Sequence, residues 1–116
     1  MTGELAWAAG IFEGEGCITH HTGKRPAVTV KGTDHWVVSR FLSAIGIGKV
    51  YGPYENRCRD KYARKPFWVW MAFEDDAREV LELLSPLLSP RRLARAHALT
   101  GTWFPVKTMT ASAGER

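Results

Sequence analysis

The sequence predicts a mixed α/β (α+β) fold in which helices and two-stranded β-hairpins alternate along the chain. Three observations support this class: apolar residues recur at helical spacing in several segments, short β-rich segments occur in two pairs, and glycine or proline stands at most boundaries. The predicted order is αββαββα followed by a further helix. Consecutive hairpins favour an antiparallel sheet with helices on one face and the other face open.

The first predicted helix covers residues 4–13. It consists of helix formers with small or apolar side chains on nearly every side, which is typical of a helix buried in a core or an interface, and the Gly-Glu-Gly sequence at 14–16 ends it. Two strands joined by a turn follow at 17–22 and 27–31. Strand alternation directs these side chains inward: Ile18, Val28 and Val30.

A second helix is predicted over residues 34–45. Thr33 is a suitable N-cap for it, and Gly46 follows its last turn, where glycine commonly stops a helix. Apolar and long side chains recur at helical spacing and define its predicted inner face: Trp36, Val37, Arg40, Phe41 and Ala44 or Ile45. Trp7 and Trp36 are therefore both expected in the core.

The second half repeats the pattern. Strands are predicted at 50–59 and 67–73, an acidic helix at 74–84, and a basic helix at 91–99 that begins after Ser89. The acidic helix is expected to turn these residues inward: Val80, Leu81 and Leu84. In the apolar strand, Trp68 and Trp70 share the open face if Val69 and Met71 face the core.

The 116 residues are enough for a single domain, which we place at 1–99 with a C-terminal tail at 100–116. With 45% hydrophobic and 24% charged residues, the chain can bury a core and differs from a disordered sequence. It contains no apolar run that approaches the roughly 18 residues of a membrane span. Its N-terminus lacks the basic start of a signal peptide, so the expected location is cytoplasmic, with no membrane partner.

The net charge of +4 is unevenly distributed. Residues 49–65 contain six Lys and Arg against two Asp and Glu, while 74–82 carry five Asp and Glu against one Arg. This segregation indicates one basic and one acidic surface, and the basic surface permits a polyanionic partner.

Several chemistries are not supported by the sequence. No Ser or Cys lies in a recognisable nucleophile elbow, and no phosphate-binding glycine-rich loop precedes a helix. Cys17, His20 and His21 could suggest zinc, but the only other cysteine, Cys58, lies in another predicted strand and no Cys-x-x-Cys pair is present, so zinc is disfavoured.

The stretch AAGIFEGEGC at 8–17 resembles the signature of the LAGLIDADG homing endonucleases. The resemblance extends through Thr33-Asp34, the IGIGKVYG sequence at 45–52, the Trp-Val-Trp strand and LSPLLSPRR at 84–92, so that it covers about residues 4 to 99. The sequence differs from the signature in having Glu at both acidic positions and Ala for the first Leu. The resemblance implies the family fold, in which the open face of the sheet forms a DNA-binding saddle.

One copy of the motif implies a second chain, because single-motif members of this family form homodimers through the motif helices. Ala6, Gly10 and Gly14 fall at i, i+4 and i+8 of the first helix, a stripe of small residues that lets another helix come close. The resemblance therefore predicts these interface residues: Ala6, Ala9, Gly10, Glu13 and Gly14.

In the family, each motif helix delivers one carboxylate to a shared catalytic centre. Glu15 is the residue that matches this position, and the main-chain carbonyl of Gly14 can add a second oxygen ligand for Mg²⁺ or another divalent cation. Glu13 is interpreted as structural, capping or pairing at the helix interface. Arg91 occupies the place of the family's basic residue near the scissile phosphate, with Arg92 as the alternative.

If Glu15 points to the open face, strand alternation selects the DNA-binding side chains. Two-stranded ribbons fit the major groove, and basic residues at the hairpin tips can contact phosphates. The predicted groove-facing residues are Cys17, Thr19, His21, Thr29, Lys31, Lys49, Tyr51, Arg57, Arg59 and Lys61. The predicted phosphate contacts at the tips are Lys24, Arg25, Arg64 and Lys65.

The function implied is a homodimeric, Mg²⁺-dependent, site-specific endonuclease that cuts both strands of a partly palindromic double-stranded DNA. Two alternatives remain open. One is a protein of the same fold that binds DNA, or an intron RNA as a maturase, without cutting; the other is a purely structural or regulatory dimer. The acidic residue at 15 and the basic residue at 91 favour the enzyme.

Overall fold

A computed structural model describes residues 3–21, 25–55 and 65–101. It confirms the predicted order of helices and strands. The elements are α1 (Gly3–Glu15), β1 (Gly16–His21), β2 (Arg25–Gly32), α2 (His35–Ile45), β3 (Lys49–Tyr54), β4 (Phe67–Phe73), α3 (Glu74–Leu84), a 3-10 turn (Ser85–Leu87) and α4 (Pro90–Thr100). The predicted strand over 50–59 ends earlier, at Tyr54, and its part from 56 onward lies outside the described residues.

The four strands form one antiparallel sheet in the order β1-β2-β4-β3. Side chains on one face, which we call the core face, pack with the helices into one hydrophobic cluster. They are Ile18, Val28, Val30, Val50, Trp68, Trp70 and Ala72. The opposite face, which we call the open face, carries Cys17, Thr19, Ala27, Thr29, Lys31, Lys49, Tyr51, Val69 and Met71.

The side chains of β4 point the opposite way from the register considered for the sequence, so that expectation is wrong. Trp70 lies on the core face with 0% exposure, packs edge-on against Phe41 at 4.7 Å, and donates a hydrogen bond from Nε1 to the carbonyl of Ile47 at 2.8 Å. Val69 and Met71 instead lie on the open face. Burying Trp removes more apolar surface from water than burying Val, provided that its N–H is satisfied, as it is here.

The inner face of α2 also differs from the prediction. Its buried residues are Val38, Phe41 and Ile45, whereas Trp36 is 63% exposed and Trp7 of α1 is only half-buried. The N-cap is Asp34 rather than Thr33, because its carboxylate accepts a hydrogen bond from the main-chain N of Trp36 at 2.9 Å.

The last two helices follow the sequence prediction closely. The predicted inward residues of α3 are all buried: Val80, Leu81 and Leu84. Ser89 caps α4, with its hydroxyl accepting a hydrogen bond from the main-chain N of Arg92 at 3.3 Å. No helix in the described ranges is long and apolar enough to cross a membrane.

Two glycines that follow α2 allow a matched stability prediction. Gly46 (φ 76°) has open space where a Cβ would stand, whereas a Cβ at Gly48 (φ 94°) would lie 2.6 Å from the carbonyl oxygen of Met71. Gly46→Ala should therefore cost about 1 kcal/mol of unfolding free energy through its left-handed φ alone. Gly48→Ala should cost roughly 3 kcal/mol, because β4 must also shift. Urea unfolding of both variants would measure this, and equal costs would contradict the close approach.

Candidate functional site

The motif helix runs directly into the sheet without an intervening loop. Glu15 is the last residue of α1 and Gly16 is the first of β1, an edge strand that pairs with β2. Glycine is required at 16, because a Cβ there would lie 2.6 Å from the carbonyl oxygen of Phe12. The main chain of Glu15 is thereby held at the edge of the sheet.

Glu15 is exposed at this junction and makes no hydrogen bond or salt bridge with any described residue. It lines a cavity of about 660 Å³ together with Cys17, Thr29 and Lys31 of the open face and Asp34 at the start of α2. An unengaged carboxylate beside polar and basic groups is available to a ligand from outside the chain.

The neighbouring carboxylate, Glu13, is engaged inside the chain. It accepts hydrogen bonds from the main-chain N of Ser89 at 3.0 Å and from its Oγ at 2.8 Å. Partial burial favours its neutral form, but these bonds and the charges of Arg92 and Arg91 outweigh that effect, so the pKa of Glu13 lies below its ordinary value. Its carboxylate therefore joins α1 to the N-terminus of α4 and does not point to the outer face of α1.

The two adjacent arginines of α4 have different environments. The Arg92 side chain is only 17% exposed and donates hydrogen bonds to the carbonyls of Gly16 and Glu13, each at 2.9 Å. Arg91 is exposed, makes no hydrogen bond or salt bridge with a described residue, and lines a second cavity of about 290 Å³ with Cys17 and Arg95. Of the two arginines proposed for phosphate contact, Arg91 is the one left free for it.

A hard divalent cation prefers six or more oxygen ligands. Near the end of α1 the chain offers the Glu15 carboxylate and the exposed main chain of Gly14. Within the described ranges, no group of three or more His, Cys, Asp or Glu side chains is arranged to hold a metal ion. These donors fit a cation only where a second chain, a phosphate or water supplies the remaining oxygens.

The predicted groove residues that are described fall into rows across the open face. One row crosses all four strands and consists of Cys17, Thr29, Met71 and Lys49. The next row consists of Lys31, Val69 and Tyr51, with Val69 in the middle. Thr19 lies opposite Ala27. Val69 and Met71 form an apolar middle of this face, which was not predicted from the sequence. Once Trp70 is placed in the core, strand alternation alone would have predicted it.

Two basic residues of this surface have partners within the chain. Arg25 forms a salt bridge with Glu74 at 3.3 Å, but both side chains are more than half exposed, so the bond is weak and exchangeable. The Lys31 ammonium lies 4.1 Å from the centre of the Phe67 ring. Lys65 is exposed. His21 is the last residue of β1, and only its backbone is described. The other predicted DNA contacts lie outside the described residues: Lys24, Arg57, Arg59, Lys61 and Arg64.

The outer face of α1 is lined by small residues. Ala6, Gly10 and Gly14 are exposed, and a Cβ built on either glycine meets nothing within 4 Å in the described part of the chain. Trp7 and Ile11 border this face and are half-buried. Ala9, which was also predicted here, is 3% exposed and packs into the core, so its assignment to the interface is wrong. It lies about 100° around the helix from Gly10.

No protein-family model and no curated protein sequence matches this chain. Two solved structures of the homing endonuclease I-CvuI are similar to it, with TM-scores of 0.59 and 0.58 and 22% sequence identity. The match covers 84% of this chain, which spans about 64% of the I-CvuI chain. One structure holds I-CvuI with its target in the presence of 2 mM Ca, and the other holds it with the I-CreI target and 2 mM Mg, with the DNA not cleaved.

This likeness confirms the fold that the sequence resemblance implied. The α+β architecture, with its antiparallel sheet and the motif helix ending at the sheet edge, is the fold of the LAGLIDADG homing endonucleases. The fold is thus that of a class of DNA-binding endonucleases.

Proposed function

We propose that this chain is a site-specific double-stranded DNA endonuclease that acts as a homodimer with a divalent cation. The observation that carries the proposal is the position of Glu15. It is an exposed, unengaged carboxylate at the end of a helix whose outer face is lined by small residues, beside the open face of the sheet. Its place of action would be inside the cell, on the nucleoid.

The outer face of α1 supports the homodimer. Exposed glycines in a helix are destabilising relative to alanine, yet Gly10 and Gly14 both lie on a face with no covering residue in the described chain. Two such faces packed about a two-fold axis would bring the helix backbones close together. The Glu15 carboxylates of the two copies would then lie near each other at the centre of a continuous DNA-binding surface.

The chemistry follows from the donors at this centre. Glu15, with the Gly14 carbonyl, would hold Mg²⁺, which when bound activates water and stabilises charge on the oxygens of a phosphodiester. Arg91 is free to neutralise negative charge on the phosphate. Glu13 keeps the end of α1 attached to α4 while the reaction proceeds.

DNA recognition is assigned to the open face. Thr29, Lys31, Lys49 and Tyr51 lie on neighbouring strands with spacings suited to a groove. Because a homodimer presents this surface twice, the target should contain two related half-sites, that is, a pseudo-palindrome.

The salt dependence of binding tests the phosphate contacts predicted at the hairpin tips, of which Lys65 is exposed. Each phosphate contact contributes about 0.9 to the slope of log Kd against log salt, and a dimer loses two contacts for each substituted position. Lys65→Gln should therefore lower the slope by about 1.8. Arg78→Gln, which removes a positive charge from α3, is the matched control and should leave the slope unchanged. A wild-type slope in Lys65→Gln would exclude Lys65 from the phosphate contacts.

The main alternative is a protein of the same fold that binds DNA or an intron RNA without cutting. A purely structural or regulatory dimer is a weaker alternative, because the free Arg91 and the exposed lysines of the open face would then have no ligand.

A cleavage selection distinguishes these functions. Purified protein is incubated with a fragmented genomic DNA library in Mg²⁺ or in EDTA, and the new ends are sequenced. Discrete ends that appear only with Mg²⁺ would support the endonuclease. Specific binding without new ends would favour the non-cutting protein, and an absence of binding to both DNA and RNA would favour the structural dimer.

A further inference from the structure

The side chain of Arg92 spans the segment that contains the proposed metal ligands. Its two terminal nitrogens donate to the carbonyls of Glu13 and Gly16, each at 2.9 Å. These two carbonyls stand immediately before and after Gly14 and Glu15. One guanidinium thus binds the main chain on both sides of the junction between α1 and β1.

The bonds of Arg92 belong to a small, partly buried network. Its Nε lies 4.0 Å from the Glu13 carboxylate, which also accepts two hydrogen bonds from Ser89. The guanidinium carbon lies 5.8 Å from the centre of the Phe12 ring. A side chain that is 17% exposed and has both terminal nitrogens hydrogen-bonded to carbonyls has little freedom to adopt another rotamer.

The electrostatics of the helix end explain why a cation is needed here. The last carbonyls of a helix carry partial negative charge, and α1 adds two carboxylates in its final three residues with no basic residue in its last turn. Without a nearby positive charge, repulsion between these carbonyls and carboxylates would push the end of α1 apart. Arg92 supplies that charge from α4, and its planar fork offers one terminal nitrogen to each carbonyl in a fixed geometry, whereas a lysine has a single nitrogen on a flexible stem.

We propose that Arg92 is a positioning residue for the catalytic centre: by holding the carbonyls of Glu13 and Gly16 it fixes the main chain of Gly14 and Glu15 between them, and so sets the affinity of the site for its cation. This inference rests on the proposed endonuclease function. It gives the two adjacent arginines different roles: Arg91 would contact the substrate, whereas Arg92 would act only through the main chain that carries the metal ligands.

The test compares Arg92→Lys with a control that loosens the opposite end of the same helix. Arg40 donates two hydrogen bonds to Glu4 at the start of α1, at 3.0 and 2.6 Å, so Arg40→Lys removes a similar fork far from Glu15. Four quantities are measured: the Mg²⁺ concentration for half-maximal cleavage, Mn²⁺ binding to the protein–DNA complex by electron paramagnetic resonance, DNA affinity in EDTA, and the melting temperature.

Arg92→Lys should raise the half-maximal Mg²⁺ concentration and weaken Mn²⁺ binding by about tenfold or more, with DNA affinity in EDTA unchanged. Arg40→Lys should lower the melting temperature without either metal effect. An unchanged metal requirement and unchanged Mn²⁺ binding in Arg92→Lys would overturn the proposal, as would equal metal effects in both variants.

A second variant keeps the test decisive if Arg92→Lys does not fold. Glu13→Gln keeps one acceptor oxygen for Ser89 and removes the charge beside Arg92, so it should shift both metal readouts in the same direction by a smaller factor; no shift would overturn the proposal. If wild-type protein neither cuts DNA nor binds Mn²⁺ on it, the endonuclease function fails and the role of Arg92 fails with it. If the wild type does both and neither variant shifts the metal readouts, only the role of Arg92 fails.

Discussion

Glu15→Gln is expected to abolish DNA cleavage while leaving DNA affinity and folding intact. The substitution keeps the shape of the side chain but removes the negative charge that would hold the cation. Because Glu15 is exposed and makes no hydrogen bond or salt bridge with a described residue, the free energy of unfolding should change by less than about 0.5 kcal/mol. Loss of a metal ligand should lower the cleavage rate by at least about 10³-fold.

Glu79→Gln is the matched control for this prediction. Glu79 is an exposed carboxylate on α3, far from the motif helix in sequence, and its substitution should change neither cleavage nor binding. Cleavage rates are compared in Mg²⁺, and affinities are compared in EDTA. Wild-type cleavage by Glu15→Gln would exclude Glu15 as the metal ligand, and loss of folding would make Glu15 a structural residue.

Gly10→Leu is expected to convert the dimer to monomers and to abolish cleavage with it. In one chain alone, a side chain at this position meets open space, and replacing an exposed helical glycine should stabilise the helix by about 0.5–1 kcal/mol. In a dimer with closely packed motif helices, two leucines would meet at the interface and force the backbones apart. Whether Gly10→Leu stabilises or destabilises the protein therefore depends on whether a second chain covers this face.

Molar mass by light scattering, measured beside urea unfolding, tests the prediction. Ala98→Leu, at an exposed position of α4, is the control for adding the same apolar side chain elsewhere and should leave the mass unchanged. A Gly10→Leu protein that remains dimeric would show that this face of α1 is not the interface.

The sequence predicted best those parts of the fold in which the apolar residues follow a single periodicity. The predicted bounds of the acidic helix coincide with α3, since three acidic residues begin it and its apolar residues recur at helical spacing. Gly46 and Ser89 were also assigned correctly, because the conformation or hydrogen bond required at a helix end selects few residue types.

The errors arose where the sequence offers two equivalent choices. In β4 nearly every residue is apolar, so alternation cannot say which side is buried until the partner of the Trp70 N–H is known. In α1, Ala9 and Gly10 are both small, and only packing shows that one is buried and the other exposed.

The candidate site was likewise predicted only in part from the sequence. A motif could point to Glu15, but the neighbouring Arg91 and Arg92 are identical in chemistry, and their separate environments depend on carbonyls that lie about 76 residues earlier in the chain. Long-range contacts of this kind are set by tertiary packing and leave no local pattern in the sequence.

The central claim is that two copies of this chain share one catalytic centre. It is tested most directly with mixed dimers, in which one wild-type copy and one Glu15→Gln copy carry different affinity tags and are purified together. On a target recovered from the cleavage selection, cutting of each strand is followed separately. A shared centre predicts that cutting of both strands falls by at least about a hundredfold, although half of the carboxylates remain. Full-rate cutting of one strand with loss of the other would contradict a shared centre and show that each copy acts alone.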